Sequence, residues 1–149
     1  MTTTFTVEFL PGIWISNTKL LSEKFLKQKK IKEIIDCNKE LTFFDGIENY
    51  IMAIKNQIKK DKHIQLQKYL HKISDIINQT ILYSESLIIY DPIITSKGPI
   101  LIIAYLLKYG MLRPEQTIYS FMSKCKIPIK IDENYQLGLK IFSKNLESQ

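Results

Sequence analysis

The sequence predicts an α/β layered domain, and three observations carry that prediction. Short apolar runs that fit strands alternate with segments whose apolar residues recur at helical spacing. A turn signal, Pro11-Gly12, separates two of the runs. The stretch Ser84 to Met111 then reads as a buried strand, a polar loop and an apolar helix in succession.

Phe5 to Phe9 alternates apolar and polar residues, as a half-exposed strand does, and Ile13, Trp14 and Ile15 form a second strand after the turn. Asn17 or Thr18 is placed to cap a helix through Leu20, Leu21, Phe25 and Leu26, with Lys27 to Lys30 as its solvated end. Ile31 to Cys37 is the third strand, with Ile34 and Ile35 inside. Leu41 to Gly46 is a connection with aromatic anchors, and Tyr50 to Ile54 is the fourth strand. Lys55 to His63 is polar and basic and is expected to be an exposed loop. Leu66, Leu70, Ile73, Ile76 and Ile77 mark one face of an amphipathic helix. Leu87 to Ile89 is the buried strand and Asp91 to Gly98 the polar loop. Pro99, whose missing N–H would be unpaired in a first helical turn, opens a helix that ends near Gly110. Arg113-Pro114-Glu115 starts a helix through Ile118, Phe121 and Met122. Ile127-Pro128-Ile129 is extended, and Asp132 caps a last helix with Tyr135, Leu139, Ile141 and Phe142.

Composition narrows the class. A chain of 149 residues fits a single domain over 1–149, and 45% hydrophobic with 24% charged residues is ordinary for a soluble globular protein. No apolar run reaches the roughly 20 residues of a membrane span. The start, Met-Thr-Thr-Thr-Phe-Thr, lacks the basic and apolar segments of a signal peptide, so an intracellular, cytoplasmic setting is expected. Cys37 and Cys125 are far apart and form no metal-like spacing. Free thiols in a reducing compartment are the expectation, with no metal and no cofactor. The net charge of +6 favours acidic partners weakly. Lys27, Lys29 and Lys30, and Lys59, Lys60 and Lys62, are candidate contacts for an acidic protein partner, weighed against ordinary exposed basic faces. A cytoskeletal or organellar assembly would suit this charge and would suit docked chain ends. Nucleic acid is not expected, because no base-stacking motif or reader fold is present.

The central stretch can be compared with a known pattern. Leu10-Pro11-Gly12-Ile13-Trp14-Ile15-Ser16-Asn17, Ile31 to Cys37, Leu66 to Ile77 and Lys97 to Tyr109 follow in an order and spacing that resemble the small dual-specificity phosphatases of the cysteine-dependent class. Met111 to Pro128 and Asn134 to Phe142 resemble the last two helices of that family. The resemblance implies a three-layer α/β/α domain around a mostly parallel sheet.

It also implies a phosphate loop at Tyr90, Asp91, Pro92, Ile93, Ile94, Thr95, Ser96, Lys97 and Gly98. The family signature is His-Cys, five residues, then Arg-Ser/Thr. Here Tyr90 stands at the His position, Asp91 at the nucleophile, Ile94 at the loop Gly, Lys97 at the Arg and Gly98 at the Ser. A carboxylate is a far weaker nucleophile than a thiolate and repels a phosphate dianion. At about 4 Å and an effective dielectric near 20, that repulsion is roughly 4 kcal/mol. Pro92 removes a backbone N–H from the cradle, and a positive φ at β-branched Ile94 would be an outlier. Lys97 supplies a point charge in place of a bidentate fork and is expected to pair with Asp91 or with loop carbonyls. The general-acid position falls at Asn56 or Gln57, amides that cannot protonate a leaving alkoxide, with Asp61 the only local substitute.

The resemblance therefore implies a pseudophosphatase, not an enzyme, acting as a structural or protein-binding scaffold. The alternative is a decoy that holds phosphoprotein without cleaving it. Residual phosphatase activity is the weaker alternative: Asp91 to Thr95 resembles the aspartate motif of haloacid-dehalogenase-type phosphatases, but Ile93 stands where that motif has its second acid.

Overall fold

The computed structural model describes residues 6–18, 22–38, 44–51, 62–92, 97–110, 113, 116, 123 and 131–148. Five strands make one sheet: β1 (Thr6–Leu10), β2 (Ile13–Ser16), β3 (Ile31–Asp36), β4 (Glu48–Ile51) and β5 (Ser86–Tyr90). Their order is β1-β2-β5-β3-β4, with β1 antiparallel to β2 and every other pair parallel. The β1–β2 turn depends on Gly12. It sits at φ +84°, and a Cβ there would lie 2.5 Å from the Glu85 carbonyl oxygen.

Of the parallel strands, β2 and β5 at the centre of the sheet are largely buried on both faces and read as nearly continuous apolar runs, whereas edge strand β4 is half-buried at best. Ile13, Ile15, Ile35, Cys37, Leu87 and Ile89 face one core. Ile34 and Ile88 face the other, where half-buried Trp14 packs edge-on against Phe25 with ring centroids 5.5 Å apart. The larger core lies under α2 (Lys62–Leu82), α3 (Lys97–Tyr109) and α4 (Glu133–Glu147), and the smaller under α1 (Glu23–Gln28). The expected α/β/α layering is therefore present. Helix α3 is buried almost all round, from Gly98 to Ala104 and at Leu107, so it is the central helix of its layer.

Several boundaries differ from the sequence expectation. Helix α1 is capped by Ser22 rather than by Asn17 or Thr18. The Ser22 Oγ accepts the Phe25 N–H at 3.0 Å, while the Thr18 N–H is held by the Ser16 Oγ at 3.1 Å at the end of β2. Strand β4 begins at Glu48, two residues early, because its span is set by pairing from Glu33↔Glu48 to Asp36↔Ile51 and not by its own apolar residues. The backbone of Lys62 and His63 belongs to the first turn of α2 and not to a loop. Likewise Lys97 and Gly98 open α3 before Pro99, which still lies in the first turn. The Asp132 carbonyl accepts the Tyr135 and Gln136 N–H groups at 3.0 and 2.9 Å, while its side chain makes no capping bond. Leu20, Leu21, Met52 to Ile54 and nearly all of 111–130, including Cys125, lie outside the described residues.

Candidate functional site

The site lies at the carboxyl ends of the three central parallel strands, where open α/β sheets place ligands. Two pairings and two hydrogen bonds bring the strand ends level. Ser16 pairs with Tyr90 and Tyr90 with Asp36. The Asp91 N–H donates to the Ser16 carbonyl at 2.9 Å, and the Cys37 N–H donates to the Tyr90 carbonyl at 3.0 Å. Beyond β3 the chain turns, with the Asn38 N–H bound to Asp36 Oδ1 at 3.0 Å.

Asp91 is only 3% exposed. Its Oδ2 accepts the Gly98 N–H at 2.8 Å, so an amide at the N-terminus of α3 is occupied by a carboxylate of the same chain. This is a charge-assisted bond at the positive end of a helix. Gly98 permits the approach: a Cβ there would lie 3.0 Å from Asp91 Cβ and 3.2 Å from Ile15 Cδ1. Tyr90 is buried, Pro92 and Lys97 are half-buried, and Lys97 is the first residue of α3. Ile93, Ile94, Thr95 and Ser96 lie outside the described residues, as do Asn56, Gln57 and Asp61.

Two residues that sequence reasoning left out of the site stand beside it. Cys37, fully buried and free, follows β3 next to the Asp91 segment. Burial pushes its thiol well above the ordinary value, Asp91 and Asp36 add to the rise, and Lys97 opposes it. Such a thiol stays protonated and is a poor nucleophile. Tyr135 of α4 is 1% exposed, and its hydroxyl is buried without a hydrogen-bond partner. Burial first, then the charges of Asp132 and Asp91, push its phenol up to about 12. No sequence spacing links Cys37, Asp91 and Tyr135. Strand register and the docking of α4 bring them together.

Of the candidate partner contacts, Lys27 forms an exposed pair with Glu23 at 3.2 Å, and the Lys29 ammonium lies 5.4 Å from the Trp14 ring. Lys30, at φ +55°, ends the turn after α1. Lys59 and Lys60 lie outside the described residues, and Lys62 is placed by its backbone in α2. Among the described residues no group of three or more His, Cys, Asp or Glu side chains is arranged to hold a metal ion, and no helix is long and apolar enough to cross a membrane.

No family model and no curated protein matches the sequence. Solved structures do match. A mouse dual specificity phosphatase complexed with zinc tungstate superposes with a TM-score of 0.79 at 12% identity, over 97% of this chain and 89% of that one. A leucine rich repeat and phosphatase domain containing protein from Entamoeba histolytica gives 0.75 at 20% identity, over 96% and 93%. The fold is that of the dual-specificity phosphatases. A human tyrosine phosphatase-like serine/threonine/tyrosine-interacting protein has the same frame, with a TM-score of 0.71 at 14% identity over 96% of this chain and 93% of that one.

Proposed function

We propose that this chain is a phosphatase-fold protein that does not hydrolyse phosphate and that serves as a structural or protein-binding scaffold. The observation that carries the reading is the Asp91 carboxylate seated on the Gly98 N–H. A group in that position offers a poor nucleophile and fills part of the seat an incoming phosphoryl group would need. Lys97 replaces the planar fork with a point charge, and Asn56 and Gln57 supply no proton. Cys37 is no substitute nucleophile, since burial keeps its thiol protonated. One protein with this fold is named for its interactions, a precedent for the frame in a binding role.

The test is turnover of an aryl phosphate, p-nitrophenyl phosphate, by wild type and by Asp91→Ala. Neither is expected to exceed the uncatalysed rate. Turnover by wild type that disappears in Asp91→Ala would make the chain an enzyme. A phosphotyrosine- and phosphoserine-peptide pulldown with wild type and Asp91→Asn separates the scaffold from a decoy: retention that needs the phosphate group would replace the scaffold reading with the decoy.

A further inference from the structure

The chain has two strongly basic segments, residues 24–32 with five lysines and no acid, and residues 55–72. Residues 55–72 hold six of the 21 basic residues and one of the 15 acidic ones, so they carry five net positive charges. The part of this second segment that the structure describes is the N-terminal half of α2. Its inner face, Leu66 and Leu70, is buried in the core. Its outer side borders a cavity of about 450 Å³ lined by Ile64, Gln65, Lys68, Tyr69 and Lys72.

The lining alternates two chemistries. Ile64 is 65% exposed, a large apolar side chain with no cover, and Tyr69 is half-buried beside it. Ile64, Lys68 and Lys72 stand one helical turn apart, so the two ammonium groups flank the same stripe, and their alkyl stems add apolar surface to it. Neither lysine belongs to an ion pair among the described residues, whose two pairs are Glu23–Lys27 and Asp75–Lys108. Lys72 instead holds its ammonium 5.5 Å from the Tyr50 ring.

We infer that this groove docks a short acidic segment of a partner protein, with carboxylates on Lys68 and Lys72 and an apolar side chain against Ile64 and Tyr69. Charge complementarity selects the occupant. The alternatives fit less well. The chain has a single Arg, Arg113, outside this segment, and among the described residues the lining holds one aromatic ring, where single-stranded nucleic acid needs several stacking platforms. A membrane surface needs an outward apolar face, and α2 turns its apolar face inward. The inference stands apart from the reading of Asp91, because an active phosphatase could use the same groove.

The experiment titrates the full chain with a short fluorescein-labelled peptide in which Glu and Asp flank a central Leu-Phe pair, read by anisotropy and by backbone amide shifts. Binding is expected, with shifts concentrated from Ile64 to Lys72. Lys68→Glu with Lys72→Glu is expected to weaken it about tenfold. Ile64→Ser is expected to weaken it severalfold, and raised salt is expected to weaken it too. Lys140→Glu with Lys144→Glu, exposed on α4, is expected to leave affinity unchanged. Absence of binding, an equal loss in the α4 variant, or equal binding after the Leu-Phe pair is replaced by serine would overturn the proposal. So would tighter binding of polyuridylate or of phosphatidylserine vesicles, or self-association that the α2 variant abolishes.

Discussion

Replacing Asp91 with alanine tests whether the start of α3 is held by the chain's own carboxylate. The carboxylate is 3% exposed and accepts the Gly98 N–H at 2.8 Å. A hydrogen bond to a charged group contributes about 1.5–3 kcal/mol. The helix N-terminus adds up to about 1 kcal/mol, and desolvation of the carboxylate offsets part of the sum. The expected net loss is about 2 kcal/mol, which lowers Tm by roughly 4–8 °C in a chain of this size. Asp91→Asn keeps volume and an acceptor oxygen, so it is expected to lose about half as much. Alanine also removes the repulsion an outside anion would meet. Inorganic phosphate at about ten times its dissociation constant is then expected to return about 1.4 kcal/mol to Asp91→Ala and nothing to wild type. Calorimetry in chloride and in phosphate at matched ionic strength reads both effects. An alanine variant within about 0.5 kcal/mol of wild type, with no greater response to phosphate, would refute the idea that Asp91 is an internal stand-in for an anion.

Three further outcomes are expected. His71 accepts from the Lys108 ammonium at 3.3 Å and packs on Phe142 with ring centroids 4.6 Å apart. Burial first, then Lys108, hold it below 6.5, against an opposing pull from Asp75. As pH falls through 6.5 the unfolded chain gains this proton before the folded chain does, so stability present above that pH declines below it. His71→Gln is expected to flatten that slope in urea midpoints measured between about pH 7.5 and 5.5; an unchanged slope counts against it. Glu33 is raised by burial and by Glu48 and Glu85, although the Thr80 hydroxyl donates to it at 2.9 Å. A raised carboxyl destabilises above its unfolded value, so Glu33→Gln is expected to gain about 0.5 kcal/mol at neutral pH and nothing in acid below 4.5. A loss at neutral pH would contradict this. A Cβ at Gly138 would lie 2.5 Å from Leu66 Cδ2, so Gly138→Ala is expected to cost about 1–3 kcal/mol and Leu66→Ala about 2–5 kcal/mol. The double variant is expected to fall short of their sum by about 1 kcal/mol or more in denaturant melts, and additivity would deny the contact.

The sequence carried the strands and helices whose pattern is local. Ile13 to Ile15, Ile34 to Ile35 and Leu87 to Tyr90 are apolar because both faces of the sheet centre are covered, and that is visible residue by residue. What it hid was set elsewhere in the chain. The start of β4 depends on register with β3, and the α1 cap falls at Ser22, whose hydroxyl takes the Phe25 N–H. The polar first turn of α2 reads as loop because Lys62 and His63 carry no apolar signal. At the site, Asp91 and Lys97 were singled out only through the family resemblance. The bond from Gly98, the buried Cys37 and the orphan hydroxyl of Tyr135 were not legible, since each arises from packing between distant elements.

The strand order has a consequence for how the chain assembles. Strand β5 lies between β2 and β3, yet it is the last of the five to be synthesised. Until residues 86–90 leave the ribosome, β2 and β3 each carry an unpaired inner edge rich in isoleucine, and β1–β2 has no link to β3–β4. Both pairings of β5 are parallel, β2 and β3 are distant from it in sequence, and closing such loops is slow. The nascent chain therefore passes through a stage with two open sheet edges, the kind that captures other strands. Substitutions in Leu87 to Ile89 are expected to reduce yield during synthesis more than they lower the melting point of whatever protein does fold, a difference that comparing soluble expression with Tm would detect.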